Sequence, residues 1–182
     1  MSTNTDICGV EHVKWLDNGL RRLLHNPRKL FGKYIRPGNV VFDIGCGPGA
    51  FTGDLAEMVG SGGKVVAIDV QEVMLAMVRK KIAAGGLSGR VDFYRCGGDA
   101  IGIDRKADFI VTFYMVHETP DPMRFIDEVA TLLNPGGIWF LAEPKMHVTG
   151  NDYRDVIDRA AAGGLRIIEQ KGLFSRIAVF QK

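Results

Sequence analysis

Asp43, Gly45, Gly47 and Gly49 stand at alternate positions in VVFDIGCGPGAFT, residues 40–52. Glycines so placed permit positive φ and let a ligand come close to the backbone. They follow an apolar run of β character. The helix expected from about Ala50 would offer unpaired N–H groups to an acidic group. Gly45-x-Gly47-x-x-Ala50 also satisfies the loose GxGxxG/A pattern of dinucleotide-binding turns. Asp69 ends the second apolar run, KVVAID, and suits a ribose diol under either reading. Asp43 separates the two readings. A carboxylate two places before the first glycine repels a pyrophosphate and suits a ligand that carries an ammonium or sulfonium group.

A second group follows two later apolar runs: Tyr114, His117 and Glu118 after ADFIVTF, and Glu143, Lys145 and His147 after GIWFLA. His117 is a candidate general base, with Glu118 or Glu143 beside it. The plainer alternatives are that His117 lines a pocket, that Glu143 before Pro144 holds a loop, and that Tyr114 packs. His147 is a lesser candidate of the same kind. His12 and His25 read as surface or capping residues. Cys46 reads as packing within the turn and Cys8 as a mobile thiol or an acceptor-site contact.

The elements that must position these groups follow from periodicity. Strands are expected at 40–45, 64–69, 91–96, 107–114 and 137–143, several of them apolar on both faces as buried parallel strands are. Helices are expected at 50–59, 71–84, 121–133 and 150–162. The second should bury Val73, Met74, Met77 and Val78. The third should be capped by Asp121 with Pro122 at its first position and bury Phe125, Val129, Leu132 and Leu133. The βαβα alternation predicts an open, doubly wound sheet. The last two strands, 165–171 and 174–181, are too close in sequence for a parallel crossover and must form an antiparallel hairpin. Residues 1–39 read as a helical lid over the carboxyl edge of the sheet: Val13, Leu16, Leu20 and Leu23 form one stripe. A second helix capped by Asn26-Pro27 carries Leu30, Phe31, Tyr34 and Ile35. The whole chain, 1–182, reads as one domain, with 40–182 as the core.

DIGCGPG resembles the glycine motif of class I S-adenosylmethionine (SAM) dependent methyltransferases, and VVAIDV is similar to their second motif. Gly98-Asp99-Ala100 is similar to their adenine-binding turn. ADFIVTFYMVHE and LNPGGIWFLAEP resemble their fourth and fifth strand segments. The resemblance covers residues 38–182 and is closest to the ubiquinone-biosynthesis-like and type 11 groups, among small archaeal and bacterial members of unassigned substrate. It implies a seven-stranded sheet of order 3-2-1-4-5-7-6 with strand 7 antiparallel. It implies SAM as cofactor, S-adenosylhomocysteine (SAH) as product and no metal. Asp43, Gly45, Cys46, Gly47 and Gly49 would hold the amino-acid end, and Asp69, Val70 and Gln71 the ribose. Asp99 and Ala100 would border the adenine, and Met74, Tyr114 and Met115 would line the site. Asp99 and Asp108 are closer together than is usual in that family, which leaves Cys96-Gly97-Gly98 as a second source of the turn.

Transfer of a sulfonium methyl is an in-line displacement, so the protein has mainly to align the acceptor and exclude water. His117, Tyr114 and Glu143 are the groups placed to assist. TFYMVHE lacks the Asn/Asp-Pro-Pro-Tyr motif of exocyclic-amine methylases and the cysteine of pyrimidine C5 enzymes, which points to a small-molecule acceptor. Three rivals stand beside this reading: a nicotinamide-dependent oxidoreductase, a non-catalytic SAM-binding protein and an RNA methyltransferase. Residues 14–36 hold seven basic side chains, including Arg21, Arg22, Arg28 and Lys29, against Asp17 alone. They read as a solvated helix face, not a nucleic-acid surface.

A net charge of +2, with 46% hydrophobic and 24% charged residues, is ordinary for a globular domain and points to no particular polyanion. Three scattered cysteines suggest neither disulfides nor zinc. No apolar run is long enough to span a bilayer, and MSTNTD has no signal-peptide character. A cytoplasmic monomer or homodimer is the expectation.

Overall fold

Strands that are apolar on both faces need helices on both faces, and the chain supplies them in alternation. The computed structural model describes residues 26–172 and 175–182. Its elements are α1 (Pro27–Phe31), β1 (Val40–Ile44), α2 (Thr52–Val59), β2 (Lys64–Asp69), α3 (Glu72–Ala84), β3 (Val91–Arg95), β4 (Ala107–Phe113), α4 (Pro122–Leu132), β5 (Leu133–Pro144), α5 (Gly150–Ala162), β6 (Arg166–Lys171) and β7 (Ser175–Gln181). Single helical turns lie at Ser88–Arg90 and Val116–Glu118. The sheet order is 3-2-1-4-5-7-6, with β7 antiparallel to β5 and β6 and the other pairs parallel, as expected.

Successive residues of each strand feed opposite faces. Val41, Val65, Phe109, Val111 and Phe140 pack under α1, α2 and α3, whereas Phe42, Ile44, Val66, Ile110 and Trp139 pack under α4 and α5. The caps of α4 and α1 are the expected ones. Asp121 accepts the Arg124 N–H at 3.0 Å and Asn26 accepts that of Lys29 at 3.2 Å, each before a proline at the first helical position. α5 closes a reciprocal box between Thr149 and Asp152. No helix among the described residues is long and apolar enough to cross a membrane.

Four expectations are corrected. α2 starts at Thr52, not Ala50, because the glycine turn continues to that point. α3 buries Met74, Leu75, Val78 and Ile82, so Val73 is exposed rather than part of the packed face. α4 stops at Leu132, because Leu133 already pairs with Ala107 of β4 before a register shift. The helix after Asn26 is only one turn long. Phe31 is fully buried against the rings of Phe51, Phe109 and Phe140, at centroid distances of 5.4, 5.8 and 4.9 Å. Residues 26–39 therefore cover a sheet face rather than its carboxyl edge. Burying one such ring stabilises by about 2–3 kcal/mol. The remainder of the expected lid, with Val13, Leu16, Leu20, Leu23, Cys8, His12, His25 and the basic residues Lys14, Arg21 and Arg22, lies outside the described residues.

Candidate active site

The strand order runs outward from β1 to β2 and β3 on one side and resumes at β4 on its other side, so a crevice opens beyond the carboxyl end of β1. The glycine turn lies there. Gly45, Gly47 and Gly49 have φ of 68, 52 and 80°, in the region that favours glycine. Their surroundings differ. A Cβ on Gly45 would lie 2.8 Å from Met115 Cγ, and one on Gly49 would lie 3.0 Å from Val78. A Cβ on Gly47 would meet nothing within 4 Å. Gly45 and Gly49 are close-packing positions, and Gly47 is the open floor of the crevice.

Two carboxylates frame that floor. Asp69 is buried; one oxygen accepts the Gly47 N–H and the other that of Gln71, both at 2.9 Å. Burial raises its pKa, and the bonds from Gln71, Gly47 and Val70 oppose that. The ribose candidate thus ties the end of β2 to the glycine turn. Asp43 is 4% exposed and accepts the Thr52 hydroxyl at 2.6 Å. Burial pushes its pKa up to about 6, eased by Thr52 and reinforced by the charge of Asp69. No cationic side chain stands among the groups that set this value, so Asp43 holds charge at an energetic cost that a cationic ligand group would relieve. Cys46 is buried, and that burial, with the charges of Asp43 and Asp69, pushes its thiol up and favours the neutral form, which is the poorer nucleophile. Phe51 leaves the start of α2 without a side-chain cap. Met74 is buried, while Val70 and Gln71 are half-buried beside Asp69.

Asp99 is exposed and Ala100 half-buried, and Gly98 has open space around its Cβ position. The turn they belong to is held from α4: Glu128 accepts the Ile101 N–H at 2.9 Å and the Gly102 N–H at 2.6 Å. Tyr94 adds a hydroxyl bond to Gly102 O at 2.7 Å.

The second group converges at the ends of β4 and β5. Register pairs Phe113 with Ala142, which brings the segment after β4 against Glu143. Glu143 is 1% exposed. Its Oε1 accepts the Val116 N–H at 3.0 Å and its Oε2 bonds His117 Nδ1. It therefore holds a loop, as the plainer reading had it, and the imidazole as well. Burial pulls the His117 pKa down, but the bond and charge of Glu143, with the charge of Glu118, outweigh it and leave the ring above its ordinary value. The His147 ring meets His117 edge-on at 5.5 Å. Tyr114 has φ of +60°, the only such non-glycine among the described residues, and its hydroxyl bonds Ser175 on β7. Its backbone N–H reaches Ala142 O at 2.8 Å. Met115 follows and covers Gly45, so one segment joins both groups.

Thr52, Glu128 and Ser175 escaped the reading of sequence. Thr52 had a weak signal, a hydroxyl three places past the last glycine of the turn. Glu128 and Ser175 had none, since their partners are remote in sequence.

A sheet of this order with a glycine turn and a carboxylate-ended second strand at its switch point defines a Rossmann-like methyltransferase fold. Residues 41–137 match the family described as a methyltransferase domain, and the chain belongs to that family. A demethylmenaquinone methyltransferase of Shouchella clausii is 31% identical over 137 residues, covering 74% of this chain and 53% of that protein. A ubiquinone/menaquinone biosynthesis C-methyltransferase of Hydrogenovibrio crunogenus is 32% identical over 104 residues, 57% of this chain and 41% of that protein. The chain spans about half the length of the curated relatives it matches. The crystal structure of a SAM dependent methyltransferase from Aquifex aeolicus superposes with a TM-score of 0.82 at 25% identity, covering 94% of this chain and 97% of that one.

Proposed function

We propose that the protein is a SAM-dependent methyltransferase acting on a small-molecule acceptor bound beyond the carboxyl ends of β4 and β5. The observation that carries this reading is the open floor at Gly47, whose N–H is held by Asp69, with the buried Asp43 near the end of the strand that leads into the same turn. Asp43 suits the ammonium-bearing end of the cofactor and disfavours a pyrophosphate, which weighs against the nicotinamide reading. Gly45, Cys46, Gly47 and Gly49 form the turn under that end. Asp69 keeps lone pairs for a ribose diol, with Val70 and Gln71 beside it. Asp99 and Ala100 border the adenine on the turn that Glu128 holds, and Met74, Tyr114 and Met115 line the remainder. When bound, the cofactor supplies an activated methyl on a positively charged sulfur. The protein aligns the acceptor with it and excludes water. One curated relative is named for demethylmenaquinone and the other for C-methylation in ubiquinone/menaquinone biosynthesis, which favours an aromatic ring carbon or its hydroxyl as the acceptor.

Titration calorimetry with SAM, SAH and NAD tests the cofactor. Micromolar binding of SAM and SAH, weakened on the order of 100-fold by Asp69→Ala, is expected. Binding of NAD alone would contradict the reading.

A further inference from the structure

The ends of β4 and β5 bring together a histidine and a buried carboxylate that methyl transfer as such does not need. Both oxygens of Glu143 are committed, Oε1 to the Val116 N–H and Oε2 to His117 Nδ1. An ionised carboxylate only accepts, so Nδ1 must carry the proton when the ring is neutral. The Nε2 lone pair is then left for another partner, and Glu118 Oε1, at 4.0 Å, is beyond hydrogen-bond distance. The His117 side chain is 19% exposed, against 2% for Glu143, so the orienting carboxylate is sealed while the ring is partly open to solvent. The turn that carries His117 starts directly after Met115, which packs on Gly45 at the cofactor floor.

Resting on the methyltransferase reading above, the geometry points to His117 Nε2 as the general base for an acceptor that arrives neutral with an ionisable O–H, a phenol or hydroquinone, and to Glu143 as the residue that positions it. The acceptor O–H bond breaks and its proton forms the Nε2–H bond of an imidazolium. The released electron pair, on oxygen or delivered through the ring to an ortho carbon, forms the new bond to the methyl carbon. The bond from that carbon to the sulfonium sulfur breaks and its pair stays on sulfur. For attack by carbon, the displaced ring proton is lost to solvent as the aromatic ring is restored. Glu143 stabilises the imidazolium as it forms. Glu118 and Glu143 flank the ring, so an acceptor arriving as a carboxylate or phosphate meets repulsion. The groups facing His117 are Glu143 on β5, Glu118 on its own turn and His147 on the loop after β5; Asp69 acts on Glu118 from β2.

The probes are a naphthohydroquinone and a naphthoic acid, each with SAM. Turnover of the hydroquinone but not the acid is expected. His117→Gln should lower it on the order of 100-fold with SAM affinity within about twofold of wild type. The rate should rise with pH through the pKa of the His117 imidazole, above the ordinary histidine value, and Glu143→Gln should move that inflection down. Glutamine keeps the Val116 bond but turns an NH2 toward Nδ1, so nitrogen NMR shifts should report Nδ1–H in wild type and Nε2–H in the variant. If the variant does not fold, the wild-type tautomer decides. A wild-type Nε2–H ring, turnover of the acid, no turnover of the hydroquinone by protein that binds SAM, or His117→Gln activity within a few-fold of wild type each overturns the assignment. Failure to bind SAM sinks the cofactor reading instead, and calorimetry distinguishes the two.

Discussion

The two halves of the crevice are built from different materials. Around Gly47, Asp43 meets a hydroxyl nine residues away, and Asp69 at the end of the adjacent β2 meets backbone N–H groups of Gln71 and of the glycine turn. Around His117, a side chain on the turn after β4 meets one on β5, and the β4–β5 register brings the two together. The first half carries a shape that many chains can share, since backbone supplies it. The second half is where the acceptor is proposed to bind, and loops beyond β4 and β5 can vary there without disturbing the sheet.

That contrast is open to test. Asp69→Ala should give the largest loss of SAM affinity, on the order of 100-fold, because it removes the proposed ribose acceptor and releases the Gly47 and Gln71 N–H groups together. Measured by calorimetry, a loss below about fivefold would break the account of the first half. Gly47→Ala should weaken SAM about tenfold, since it forces a side chain into the left-handed region at a cost of about 1–2 kcal/mol and fills the open floor. Gly45→Ala should lower Tm more than Gly47→Ala, because its Cβ meets Met115. Thermal melts of the two variants without ligand check that order. Glu128→Ala should have the smallest effect, about 1 kcal/mol of stability and a few-fold loss of SAM affinity through the looser turn at Ile101 and Gly102. An unchanged SAM affinity would detach that turn from the cofactor site.

How much could be read beforehand follows the same division. Strands with apolar residues on both faces, the glycine turn and Asp69 are local patterns, and they stand close to where they were expected, except that β5 starts at Leu133 and not at 137. So does the closing hairpin, because chain length forbids a crossover. Local reading placed Val73 on the packed face of α3, and the rotation of the helix against β2 and β3 exposes it. It extended the helix after Asn26 through Ile35, whereas burial of Phe31 in an aromatic cluster decides that segment. In the site, His117 and Glu143 could be named separately. Their union across 26 residues depends on the pairing of Phe113 with Ala142, which no local pattern encodes. Glu128 gave no sign at all, because its partners Ile101 and Gly102 lie 27 and 26 residues away in sequence.

Asp43 offers the most direct test of the central claim that the crevice is built to receive a cationic cofactor. Its pKa of about 6 lies above the unfolded-state value of 3.8. Its ionisation therefore costs nothing below pH 3.8, progressively more between there and about 6, and a constant on the order of 3 kcal/mol above. Asp43→Asn keeps an oxygen for the Thr52 hydroxyl and removes that cost. Thermal melts and SAM titrations of this variant and wild type at pH 7.5 form one paired measurement. The account predicts that the variant melts higher and binds SAM at least about tenfold more weakly. A variant that melts lower and binds SAM as wild type does would make Asp43 a structural residue and contradict it.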